Sequence, residues 1–144
     1  ARMHPVVIQL LRDHPDTVRL VFKMKPLLFH PEALPAALRW AAVILQAPDK
    51  AWPYFDALFE GKLAGRLGAE YYREIEQRLG IDSIALAARI ASGAPAAVVS
   101  RDVGEFDRRG LNGTPIFFIN DREVSAVQEF LEYEIRKIEE AEQP

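Results

Sequence analysis

Cysteine is missing from all 144 residues. That excludes disulfides, thiolate metal sites and cysteine nucleophiles within the chain. It does not fix a redox compartment, because proteins on either side of a membrane can lack cysteine. Histidine is scarce: His4, His14 and His30 are the three, dispersed among turns without the spacing of a metal site. An excess of positive charge is missing as well. Against 21 Asp and Glu there are 18 Lys and Arg, a formal net charge of -3, with no basic face of the kind nucleic acid needs. No apolar run reaches membrane-spanning length. The opening, ARMHPVV, lacks the charged, apolar and cleavage-site order of a signal peptide. No internal repeat of fixed period occurs.

What is present points to a folded domain. Hydrophobic residues make up 49%, and the length suffices for one domain with a real core. Val6, Val7, Leu10 and Leu11 lie on one face of a helix, with Pro5 tolerable only near its start. Residues 17–25, TVRLVFKMK, are β-branched and aromatic and alternate, so a strand is expected there, ended by Pro26. Short amphipathic helices are expected across residues 31–93, with Gly61 as one stop and Asp82 as an N-cap. A further helix follows, with Val98, Val99, Val103 and Phe106 inward and Gly104 weakening it. A strand over residues 115–120, a tight turn at Asn120-Asp121 and a second strand near residues 122–124 come next. The last helix carries Val127, Phe130, Leu131, Ile135 and Ile138 at helical spacing, with Ser125 as its cap.

One stretch stands apart: GLNGTPIFFIN, residues 110–120. Proline cannot donate to a ladder and is normally kept out of central strands, yet Pro115 stands at the mouth of the most apolar strand. The pattern Gly110, Gly113, Thr114, Pro115, Phe117, Phe118, Asn120 resembles the Gly-x-x-Gly-Thr-Pro-x-Phe-Phe-x-Asn signature of the DsbA-like branch of the thioredoxin superfamily. Residues 17–37 resemble that family's second strand and its entry into a helical insert, and residues 51–61, AWPYFDALFEG, resemble a helix of the insert. The resemblance implies an α/β thioredoxin-like fold with an inserted helical domain. Residues 1–26 and 94–144 would form an incomplete core, and residues 27–93 the insert.

The resemblance further implies that the Thr114–Pro115 bond is cis, and that Gly113, Thr114 and Pro115 form a substrate-binding turn. An extended polypeptide would pair with it by β-addition. The family's Cys-x-x-Cys lies at the start of its first helix, where the helix dipole lowers a thiolate pKa. This sequence has no such motif, and it reads as beginning just after it, without the strand that precedes the motif in the family. Ala1, Arg2 and His4 would then lie near the active site, with no catalytic residue and no cofactor in the chain. The gap left by the missing strand would be filled by a strand swapped from a second copy, by a preceding segment, or by closing of the sheet. Unfilled, each buried unpaired backbone group would cost about 1–3 kcal/mol.

The functional expectation is the body of a protein thiol–disulfide oxidoreductase or disulfide isomerase, periplasmic or extracytoplasmic in its parent and inactive as these residues alone. Two alternatives stand beside it: a redox-inactive peptide-binding module, and a glutathione-using transferase or isomerase of the same fold. Other features read as structural. His4 is a surface histidine at a helix start, and His30 a helix entry. Trp40, Trp52, Tyr54, Phe55 and Phe59 are helical core, Tyr71 and Tyr72 half core and half surface, and Asp56 a surface or capping carboxylate. The Asn112-Gly113-Thr114 sequon is incidental to the turn.

Overall fold

In the computed structural model, which describes residues 3–141, the chain divides into two compact units. One is built from residues up to Phe22 and from Asn112 onward, the other spans Lys23–Leu111. Each has its own core.

The first unit opens with α1 (His4–Asp13), whose Pro5 sits in the first turn, where a missing N–H costs nothing. The chain returns to this unit as a hairpin, β1 (Phe117–Ile119) and β2 (Arg122–Val124), paired antiparallel with Ile119 opposite Arg122. Its two-residue loop puts Asn120 at φ 46 and Asp121 at φ 65. Short polar side chains tolerate that left-handed backbone, and its twist suits a hairpin. The last element is α7 (Gln128–Ala141). Leu10 of α1 and Leu131 and Ile135 of α7 form the buried centre, flanked by Val6, Val18, Phe117, Ile119 and Val124. Helix α7 starts later than Ser125 would have it. The Leu131 N–H bonds the Val127 carbonyl, so Val127 stands at the cap.

The second unit is helical: α2 (Ala33–Gln46), a 3-10 turn (Pro48–Lys50), α3 (Ala51–Leu63), α4 (Ala69–Arg78), α5 (Ser83–Ala91) and α6 (Ala94–Arg108). Asp82 caps α5 as expected, its Oδ1 accepting from the N–H groups of Ile84 at 2.9 Å and Ala85 at 3.0 Å. Trp40, Tyr54 and Phe55 are core, with Trp40 donating to the Ala51 carbonyl at 2.8 Å, whereas Trp52 is 43% exposed.

Three further expectations need correction. Residues 17–25 form no strand. A strand exists only where its backbone meets a second one, and among the described residues the sheet is the β1–β2 pair. Around Phe22 and Lys23 the segment instead passes from one unit to the other, and the Met24 N–H is met by a side chain, the Asp102 carboxylate, at 3.0 Å. By packing, α6 belongs with α2 and α5 in the second unit, because Val99 is in that unit's core and Val98 and Val103 lie against it. Gly61 does not end α3, which runs on to Leu63. Tyr71 and Tyr72 are both buried, because each hydroxyl finds an acceptor: the Ala57 carbonyl and the Glu32 carboxylate, each at 2.9 Å.

Candidate functional site

Helix α6 ends at Arg108, and Gly110, at φ 64, turns the chain away from it. The chain then enters the first unit at Asn112. Gly113 is left-handed at φ 83, a conformation side chains rarely adopt, and the Thr114–Pro115 peptide bond is cis. Pro115 stands before the first ladder residue, Phe117, so its missing N–H removes no sheet bond. The proline at the strand mouth thus belongs to the turn and not to the strand. Gly113, Thr114 and Pro115 are all exposed. Among the described residues the strand that follows has a strand neighbour, β2, on one side only, and Phe118 is 37% exposed. A backbone turn open to solvent beside a singly flanked strand is suited to pairing with an extended chain.

Of the residues expected near the site, His4 is the first residue of α1 and half-buried. Ala1 and Arg2 lie outside the described residues. The three histidines are not gathered, and among the described residues no group of His, Asp and Glu is placed to hold a metal ion. His14 instead meets Glu139 at 2.8 Å (Nδ1 to Oε1), and the Thr17 hydroxyl donates to the same oxygen. Those two contacts hold the Glu139 carboxyl below its ordinary pKa and tie the end of α1 to α7.

Three acidic side chains matter more than the sequence suggested. Asp102, 5% exposed, accepts the Met24 N–H and lies 3.6 Å from Lys23 Nζ. Lys23 also meets Glu105 at 3.0 Å, and that bonded ammonium holds the Glu105 carboxyl below its usual range. Glu76, buried on α4, faces Arg39 at 3.6 Å and the Tyr54 hydroxyl at 3.4 Å. Burial, with that carboxylate, pushes the Tyr54 phenol well above its ordinary pKa. Arg39 and Glu76 also line a cleft of about 240 Å³ with Ser83, Leu86 and Ile90. A signal for two of these was present: Asp102 falls on the apolar stripe of Val99 and Phe106, and Glu76 on that of Tyr72 and Ile75.

The first unit sets a hairpin and two helices around one apolar centre, and a helical unit is inserted between its two chain segments. Together they define a thioredoxin-like α/β protein with a helical insertion. The chain belongs to the family of the DSBA-like thioredoxin domain, whose model matches residues 8–136. Among solved structures, the thiol-disulfide exchange protein alpha-DsbA2 from Wolbachia pipientis is similar to it, with a TM-score of 0.81 and 22% identity over 95% of this chain and 73% of that one. That likeness establishes a shared fold. No curated protein matches the sequence significantly. Among the described residues no single helix is long and apolar enough to cross a membrane.

Proposed function

We propose that these residues are the body of a DsbA-like protein thiol–disulfide oxidoreductase or disulfide isomerase domain, with Gly113, Thr114 and Pro115 as its substrate turn. The observation that carries this reading is the exposed turn into β1, in a chain that belongs to the DSBA-like family. An extended polypeptide pairs its backbone with that of Thr114, while the Pro115 ring lines the groove. Disulfide exchange proceeds by thiolate attack through a mixed disulfide. Both enzyme sulfurs must come from outside these residues, which contain no cysteine. The part assigned to this chain is to hold the peptide beside the dithiol, in a periplasmic or other extracytoplasmic compartment.

Backbone amide shifts test the substrate turn. Titration with a reduced, unfolded polypeptide is expected to move the amides of Gly113, Thr114 and Ile116. Shifts confined to other regions would overturn the assignment. In an insulin reduction assay these residues alone are expected to give no turnover, and turnover would contradict the role given to an outside dithiol. A Cys-x-x-Cys encoded ahead of Ala1 decides for the oxidoreductase.

A second reading draws on the missing cysteine: a redox-inactive module that holds extended peptides through the same turn. It binds peptide equally well and has no dithiol in the gene. Strand exchange between two copies is a further proposal. Residues 17–21 have strand-forming sequence but belong to no strand, and pairing with β1 of a second copy would give them a ladder. Light scattering on a size-exclusion column is then expected to show a dimer, and a clean monomer excludes the exchange.

A further inference from the structure

We propose that Asn112 is a site of spontaneous succinimide formation, which converts it to aspartate and isoaspartate at the entrance of the Thr114–Pro115 turn. The reaction needs the backbone nitrogen of the next residue to reach the side-chain carbonyl carbon. A side chain on that next residue hinders the approach. Here the next residue is Gly113, which has no Cβ, and open space surrounds the position one would occupy. Asn112 and Gly113 are both exposed and lie outside any helix or ladder, so water reaches them.

The chemistry balances without a redox step. The Gly113 nitrogen loses its proton and attacks Asn112 Cγ. The new C–N bond closes a five-membered ring, the Cγ–Nδ2 bond breaks, and ammonia leaves with the proton. Water then opens the ring. Attack at Cγ gives aspartate, whereas attack at the main-chain carbonyl gives isoaspartate, with the chain routed through Cβ and Cγ. Either product adds one negative charge to a chain whose formal net charge is -3. The isoaspartate also lengthens the backbone by one carbon directly before Gly113, whose left-handed φ of 83 shapes the turn.

The molecule carries its own comparison. The other asparagine, Asn120, is followed by Asp121, which has a Cβ and a carboxylate that disfavours loss of the amide proton. Both sit in a two-residue loop at φ 46 and φ 65, closed by the Ile119–Arg122 pair. The attack on Asn112 is a property of the loop alone. Its consequence for peptide binding rests on the substrate-turn reading above.

The test is to hold the folded chain in mildly alkaline buffer at body temperature and digest it with trypsin. Cleavage after Arg109 and Arg122 yields one peptide, residues 110–122, carrying both asparagines. Fragment masses are expected to show conversion at Asn112 with Asn120 intact, a mixture of aspartate and isoaspartate, and a rate that rises with pH. The variant Asn112→Gln, whose ring would have six members, is expected to stay amidated. Asn112 left intact in the folded chain, under conditions that convert the free 110–122 peptide, would overturn the proposal. The converted chain is then titrated with the unfolded polypeptide and is expected to lose the Gly113 and Thr114 amide shifts. Retention of those shifts would overturn the consequence. If the native chain shows none, the substrate-turn reading fails and the Asn112 chemistry stands.

Discussion

Gly61→Ala is the sharpest perturbation the helical unit offers. A Cβ on Gly61 would lie 2.1 Å from Tyr71 Cε1, 2.7 Å from Cδ1 and 2.8 Å from Cζ. Carbon atoms attract at about 3.5–4.0 Å, so the ring would have to retreat by more than about 1 Å. Tyr71 cannot do so freely. It is buried, and its hydroxyl bonds the Ala57 carbonyl at 2.9 Å. Overpacking of this kind costs about 1–3 kcal/mol, and loss of the tyrosine hydrogen bond adds about 1 kcal/mol. Against both stands the helix preference for Ala over Gly, about 1 kcal/mol within α3. The balance is a destabilisation of about 1–3 kcal/mol. Trp40 and Trp52, the chain's two tryptophans, both lie in this unit, so tryptophan fluorescence in urea follows its unfolding. The midpoint is expected to fall by about 1 M urea at unchanged slope. In a Tyr71→Ala background the same Gly61→Ala change should become stabilising, because only the helix term is left. Equal or greater stability of Gly61→Ala in the native background would refute the packing account.

Asp102→Ala leaves the buried Met24 N–H without its acceptor and is expected to cost about 1–3 kcal/mol in the same urea assay. Asp102→Asn, whose amide oxygen still accepts, should recover part of that loss. Because the folded pKa of Glu139 lies below the unfolded one, its contribution is present above the unfolded value and is lost as pH falls through the folded value. Glu139→Gln should therefore lower the melting temperature at neutral pH and leave it nearly unchanged only once the pH lies well below the ordinary glutamate value of about 4.3. An equal loss at both pH values would mean that packing, and not the carboxylate, matters there. Leu131→Ala, at the buried centre of the first unit, is expected to cost about 2–5 kcal/mol, read as a lower melting temperature by circular dichroism.

Much of this was legible in the chain. The amphipathic spacing of α1 and of α2 to α6, the Asp82 cap and the Asn120-Asp121 turn are local features, set by residues a few positions apart. The Thr114–Pro115 turn was legible as a motif, since Gly113 ahead of it and the apolar run after it stand in one stretch. What was illegible depended on distant partners. Residues 17–25 have strand propensity, but a ladder needs a second strand, and the sequence does not say whether one is within reach. Gly61 read as a stop because glycine often ends helices, but its use is to admit the Tyr71 ring. Tyr71 and Tyr72 read as half exposed because their hydroxyls had no visible acceptors. Those acceptors, Ala57 and Glu32, lie elsewhere along the chain.

The sequence by itself determined the helical stripes, the hairpin and the absence of any thiol, because composition and short-range periodicity carry that information. Tertiary structure decided which unit α6 joins, through the burial of Val99. It also decided that Asp102 and Glu76 sit buried on apolar faces with partners, and that Gly113, Thr114 and Pro115 stand exposed ahead of β1. Burial and pairing depend on what the rest of the chain brings alongside, and no local pattern encodes that.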